Sequence, residues 1–225
     1  MPMRAAVFDF DGVLVDSEPL HFRALRDTLR TEGIEIVEEE YWGRYLAHDD
    51  RGALRLALEH HGERADPLRL DRLAALKVDR FGELLPEVPV FPGAAALVRS
   101  LAAEVPLAIA SGARHEEVEA ILGGVGLRDA FVAIVGAEDA ARTKPDPAPY
   151  LEAARRLDAA APGLAAAECA AVEDSLPGIA SALAAGMRVV GVAHSYPADR
   201  LRAAHRVVES LVGLGAADLR RLFEE

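Results

Sequence analysis

Short apolar runs alternate with longer amphipathic stretches along most of this chain. Ala5 to Phe8, Leu107 to Ala110, Val132 to Val135, Cys169 to Val172 and Val189 to Val192 carry no polar side chain, and Arg206 to Val208 is a weaker sixth run. Runs of that length, bounded by turn residues, predict strands. Between them, Gly93 to Glu104, Glu116 to Leu122, Pro147 to Leu157 and Ser175 to Ala185 repeat apolar residues at helical spacing. Pro92-Gly93 precedes the first helix and Gly186 follows the last, as start and stop signals do. Strand and helix in turn predict an α/β fold, a doubly wound parallel-sheet (Rossmann-like) core.

From about Ser17 to Pro89 the alternation stops, and successive helices are predicted with no convincing strand. Phe22, Leu25 and Leu29 share one face, with Gly33 as the stop. Asp50 is placed to cap a helix bearing Leu54, Ala57, Leu58 and His61, ended by Gly62. Asp66-Pro67 pairs an N-cap with a proline at the first helical position, ahead of Leu70, Leu73, Leu76 and Leu84. The expected division is therefore 1–16 with 90–225 as the core and 17–89 as an inserted all-helical domain. Val15-Asp16 and Pro86 to Pro89 are the hinge positions.

The 225 residues are enough for one large domain and a smaller one, and 51% hydrophobic content is that of a folded chain. A net charge of −12 excludes broad attraction to nucleic acid or anionic lipid, so an anionic ligand needs a local cluster of donors. Cys169 is the only cysteine, which rules out an intrachain disulfide framework. No secretory or membrane-spanning apolar stretch opens the chain, so a cytoplasmic protein is expected, a monomer or weak homodimer.

Candidate chemistry gathers at the ends of the predicted strands. Asp9 and Asp11, in Phe8-Asp9-Phe10-Asp11-Gly12, put two carboxylates on one side of an extended chain. Hard oxygen ligands suit magnesium, and one carboxylate can be a nucleophile while its neighbour handles protons. The closing glutamate of an EF-hand loop is absent. Ser111-Gly112-Ala113-Arg114 offers a hydroxyl and backbone N–H groups entering a helix. Thr143-Lys144-Pro145-Asp146-Pro147 stiffens a loop around one lysine. Glu173-Asp174-Ser175 is a second acidic pair at a strand end. Each element alone is equally an ordinary turn, solvated loop or helix cap. In order, they are what phosphoryl transfer through an aspartyl intermediate requires.

On these motifs the sequence resembles the haloacid dehalogenase-type phosphotransferase superfamily. The likeness is greatest to its branch of β-phosphoglucomutases and small-molecule phosphatases such as those of phosphoglycolate, and it covers nearly the whole chain. The resemblance implies that the inserted helices form a substrate-specifying cap. It implies Asp9 as nucleophile and Asp11 as the acid–base partner. Ser111, with backbone near Gly12 and Gly112, would bind the phosphoryl group, and Lys144 would offset its charge. Mg2+ would be held by Asp9, Asp174 and the Asp11 backbone carbonyl, with Glu173 supporting it directly or through water. An aspartate at position 11 favours phosphorus–oxygen chemistry over dehalogenation.

His21 resembles the hinge histidine of β-phosphoglucomutases, and Arg51 and Arg114 are candidates for substrate binding. Arg44, His48 and Lys77 read as solvated helix positions, and Tyr41, Trp42 and Tyr45 as packing within the helical domain. The expected function is Mg2+-dependent hydrolysis of a small phosphorylated metabolite. The alternatives are a sugar phosphomutase and a non-catalytic phosphate-ligand binder. Gly123-Gly124-Val125-Gly126 is not a dinucleotide fingerprint, because a helix precedes it instead of a strand.

Overall fold

In the computed structural model, which describes residues 2–46 and 48–224, the chain forms two compact units. Ser17–Val88 is one, and the segments up to Asp16 and from Pro89 onward make the other. Pro89, expected with the inserted segment, belongs to the sheet-bearing unit. Its carbonyl accepts from the Asp16 N–H at 2.9 Å, and its neighbour Val90 bridges antiparallel to Val15.

The elements run β1 (Ala5–Phe8), α1 (Glu18–Arg30), α2 (Glu38–Glu40), α3 (Asp50–His60), α4 (Pro67–Leu84) and α5 (Ala94–Ala102). Then come β2 (Leu107–Ala110), α6 (His115–Gly124), β3 (Phe131–Val135), α7 (Ala148–Leu157) and β4 (Cys169–Glu173). The last are α8 (Leu176–Ala184), β5 (Arg188–Val192), β6 (Arg206–Val208) and α9 (Ala216–Arg220).

Among the described residues, six strands form one parallel sheet in the order β3-β2-β1-β4-β5-β6. The chain winds outward from β1 through β2 and β3, then returns to β1's other side for β4, β5 and β6. Such a reversal leaves a crevice at the strands' carboxyl ends, where α/β sheets bind ligands. β1 and β2 are buried at every position, which is why their sequences show no polar alternation. Ala5, Val7, Ala108 and Ala171 share one packed cluster with Tyr150 and Leu157 of α7 and with Ile179 and Ala182 of α8. Register then fixes the crevice: Phe8 is level with Ile109 on one side and Val172 on the other. Asp9 therefore emerges beside the last residues of β2 and β4.

The helical unit has its own core. Leu25 and Leu29 of α1, Leu54 and Leu58 of α3, and Leu70 and Leu73 of α4 enclose Tyr41 and Tyr45. Those tyrosines lie on a π-helical turn, Tyr41–Tyr45, continuing from α2. Trp42, expected to pack with them, meets the Tyr41 ring edge-on with centroids 5.7 Å apart, but is otherwise exposed and donates to Glu38 at 3.1 Å. Asp66 caps α4 by accepting from the Arg69 N–H at 3.1 Å. α3 is capped by Asp49, which accepts from the Gly52 N–H at 2.8 Å, and not by Asp50. Asp50 is already helical, and its carboxylate lies 2.6 Å from Lys77 Nζ. Among the described residues no helix is long and apolar enough to cross a membrane.

Candidate active site

The first acidic motif leaves β1 through a tight turn. The Asp9 N–H still donates to the Val172 carbonyl at 2.9 Å, as though β1 ran one residue further. Beyond it the Phe10 carbonyl accepts from the N–H of Leu14 at 2.8 Å, and the Gly12 N–H donates to the Val15 carbonyl at 2.9 Å. Gly12 has φ +80°, and a Cβ there would stand 2.0 Å from Asp174 Oδ2. Only glycine permits that backbone to pass so close to the second acidic motif.

Asp9, Glu173 and Asp174 are all buried, and each offers an oxygen within 4.8 Å of the others. Lys144 enters from the loop ahead of α7, where the Lys144–Pro145 peptide is cis. Its Nζ donates to Asp9 Oδ1 at 2.5 Å and to Glu173 Oε1 at 2.6 Å. The loop is pinned from both sides: Asp146 accepts from the Ala148 N–H at 3.0 Å, and Ser181 of α8 donates to the Asp146 carbonyl at 2.5 Å.

One ammonium faces three carboxylates, so the cluster is short of positive charge. Burial pushes Asp9 well above the usual carboxylate range, and Glu173 and Asp174 add to that against the pull of Lys144. Burial, reinforced by Glu173, also pushes Asp174 up to about 7, although Ser195 donates to it. Burial pulls the Lys144 ammonium down, but Asp9 and Glu173 outweigh it and hold the group above its ordinary value. Hard oxygens around an unneutralised negative site suit a divalent cation.

Ser111 is buried one residue past β2, where its Oγ accepts from the Ala113 N–H at 2.9 Å. It lines a cavity of about 190 Å³ with Gly112, Gly136, Thr143 and Lys144. Asp11 sits at the turn, bridged to Val15 and partly buried. The structure thus gathers Asp9, Lys144, Glu173 and Asp174, with Gly12 against Asp174 and Ser111 and Gly112 beside Lys144.

Arg114 is exposed at the N-terminus of α6, 3.5 Å from Glu116. Arg51 pairs with Asp71 inside the helical unit. His21, in the same unit, stacks on Phe81 with centroids 4.0 Å apart and accepts from Lys77 Nζ at 2.7 Å. Burial and the lysine's charge lower His21 to about 4, so the ring is neutral at physiological pH. Lys77 is 2% exposed, which overturns its expected solvated position. The signal was its place in the stripe Leu70, Leu73, Lys77, Phe81, which forms the buried face of α4.

Sequence reasoning also missed the loop after β5. Ser195 Oγ donates to Asp174 Oδ2. His194 donates from Nδ1 to the Gly12 carbonyl at 2.8 Å while its ring stacks on Phe91. These residues belong to no motif, but β5 neighbours β4, so its carboxyl end had to reach the same crevice. Tyr150 was missed too; its hydroxyl donates to Glu173 Oε1 at 2.8 Å.

A partly buried lysine paired with two buried carboxylates at the turning point of a doubly wound sheet, beside a small serine-lined cavity, makes a charged site at the edge where α/β sheets bind ligands. The model of haloacid dehalogenase-like hydrolases matches residues 3–186, and the chain belongs to that family. It is 34% identical to protein CbbY of Rhodobacter capsulatus over 200 residues, covering 84% of this chain and 85% of that one. To hexitol phosphatase B of Escherichia coli K12 it is 32% identical over 219 residues, 96% of each chain. The crystal structure of CbbY from Rhodobacter sphaeroides in complex with phosphate superposes with a TM-score of 0.80 at 30% identity, covering 97% of this chain and 99% of that chain. A mutant of that protein, solved with xylulose-(1,5)bisphosphate, gives 0.79 at 29% identity over the same shares.

Proposed function

We propose that this protein is a Mg2+-dependent phosphomonoesterase of the cytoplasm that hydrolyses a small sugar phosphate through an aspartyl-phosphate on Asp9. The observation that carries this reading is a cluster of three buried carboxylates, two of them paired with one partly buried lysine. Uncompensated buried charge is costly, and such clusters persist where chemistry requires them. The bisphosphate bound to a relative and the name hexitol phosphatase support a sugar-type substrate.

In this reading an Asp9 carboxylate oxygen attacks phosphorus, and the bond from phosphorus to the substrate oxygen breaks. Asp11, protonated, gives its proton to that leaving oxygen. Water then attacks the phosphorus of the aspartyl-phosphate, Asp11 takes the water's proton, and inorganic phosphate leaves with Asp9 restored. Ser111, the Gly112 N–H and backbone N–H groups near Gly12 hold the phosphoryl oxygens, and Lys144 neutralises them. Asp9, Asp174 and the Asp11 carbonyl would hold Mg2+, which when bound supplies charge stabilisation to the phosphoryl oxygens. Ser17–Val88 acts as the cap that chooses the substrate, with His21 and Arg51 there and Arg114 on the core addressing the rest of the molecule.

The test is release of inorganic phosphate from a panel of sugar phosphates, with and without Mg2+, for the wild type and Asp9→Asn. Mg2+-dependent release abolished by the substitution is expected. Wild-type and Asp9→Asn proteins that are equally inert contradict the reading. Conversion of β-glucose 1-phosphate to the 6-phosphate with a bisphosphate primer would transfer the assignment to a mutase.

A further inference from the structure

Glu173 lies close enough to Asp9 and Asp174 to share a metal ion, but its oxygens are already occupied. Oε1 accepts from Lys144 Nζ at 2.6 Å and from the Tyr150 hydroxyl at 2.8 Å. Oε2 accepts from the N–H groups of Asp174 at 3.0 Å and Ser175 at 3.1 Å, and from Ser175 Oγ at 3.0 Å. Five donors meet a group that offers about four lone-pair directions. The side chain is wholly buried, and its carboxylate lies against the first turn of α8. A Cβ on Gly178 would come within 1.7 Å of Oε1, so the helix leaves out a side chain where the carboxylate sits.

Resting on the phosphatase reading, we propose that Glu173 anchors Lys144 and does not ligate the metal, and that Tyr150 is a positioning residue acting through Glu173. A lysine ammonium is a point charge on a flexible stem, and bringing it to 2.5 Å from a nucleophile requires a second fixed partner. Glu173 is that partner, and Tyr150 fixes the oxygen that Lys144 uses. Tyr150 is itself fully buried, and Lys144 Nζ lies 5.1 Å from its ring centroid, so the ring also bounds the ammonium from one side. Without the hydroxyl, Oε1 gains a free lone pair and the carboxylate can turn away from the lysine. The proposed effect is on the reacting geometry, with substrate and metal affinity left as they were.

Tyr150→Phe removes the hydroxyl and keeps the ring. With para-nitrophenyl phosphate at saturating Mg2+, kcat should fall about tenfold, the effect of losing one hydrogen bond to a charged group. KM, and the Mn2+ dissociation constant measured by calorimetry, should stay within about twofold, a split that general loosening of the fold does not produce. In a Glu173→Asp background, where the shorter carboxylate no longer reaches the hydroxyl, Tyr150→Phe should cost nothing further.

An unchanged kcat, Mn2+ affinity lost in step with kcat, or additive losses in the double variant would each overturn the proposal. Should Tyr150→Phe not fold, Glu173→Asp alone carries the test: kcat must fall while Mn2+ affinity holds. The wild type is assayed alongside. A silent wild type removes the phosphatase reading and this proposal with it, whereas an active wild type with an equally active Tyr150→Phe removes the proposal alone.

Discussion

Gly12→Ala separates the backbone cost of a left-handed residue from the cost of disturbing the acidic site. The new Cβ would lie 2.0 Å from Asp174 Oδ2, 2.7 Å from Asp174 Cγ and 3.0 Å from Ser195 Oγ. Ordinary contact begins near 3.4 Å, so the Asp174 carboxylate must retreat by more than an ångström or the turn must open. Alanine at positive φ adds roughly 1–2 kcal/mol of strain, equivalent to a fall of roughly 2–8 °C in melting temperature for a chain of this size. Gly126 supplies the control, because its φ is +67° and nothing lies within 4 Å of its Cβ position.

Both alanine variants should therefore lose the backbone contribution in thermal melts, and Gly12→Ala should lose more, because the overlap with Asp174 adds to it. Only Gly12→Ala should lose function. Misplacing a catalytic group by an ångström costs about a hundredfold. We expect a loss of that size in kcat/KM toward para-nitrophenyl phosphate, together with weaker Mn2+ binding, and near wild-type activity for Gly126→Ala. A Gly12→Ala enzyme within threefold of wild type would refute the reasoning, because the contact with Asp174 would then have no part in catalysis.

Lys144→Met leaves Asp9, Glu173 and Asp174 buried with no cation among them. Metal-free protein should lose about 3–5 kcal/mol, and Mg2+ should raise its melting temperature more than it raises that of the wild type; equal metal responses in differential scanning calorimetry would count against the charge argument. Asp174 gives a pH signature in the metal-free protein. Its folded value of about 7 lies above the 3.8 of an ordinary aspartate, so the folded state holds the extra proton between those limits. Stability contributed by protonated Asp174 is present below about pH 4 and is lost as pH rises toward 7, by up to roughly 4 kcal/mol. Asp174→Asn cannot titrate, so its melting temperature should gain on the wild type as pH rises from 5 to 8. Parallel profiles would contradict the assignment.

The core fold was legible because its strands are short and buried on both faces, so β1, β2 and β4 stood out as unbroken apolar runs. The acidic, serine and lysine motifs were legible for the same reason, since most of them begin where such a run ends. Glu173 is the exception in detail: it is the last residue of β4, paired with Gly191, and not part of the loop beyond. Asp49 and Asp50 are adjacent and equally able to cap, so the sequence could not choose between them. Long side chains were the least legible. Lys77 looked solvated by type, yet Asp50 and His21 hold it in the apolar stripe of α4. Ser195, His194 and Tyr150 carry no motif; they reach the site because sheet order brings β5 and α7 beside β4 and β1. The saturation of Glu173 needs donors from separate segments, which only the folded chain assembles.

The central claim is a covalent phosphoryl group on Asp9, and trapping it is the most direct measurement. Enzyme turning over a sugar phosphate with Mg2+ is quenched in acid, reduced with borohydride and digested for mass spectrometry. Reduction of an aspartyl-phosphate leaves homoserine in place of the aspartate, and we predict that change at position 9 alone. Sustained turnover with Asp9 unmodified, or with the change at another carboxylate, would contradict the account.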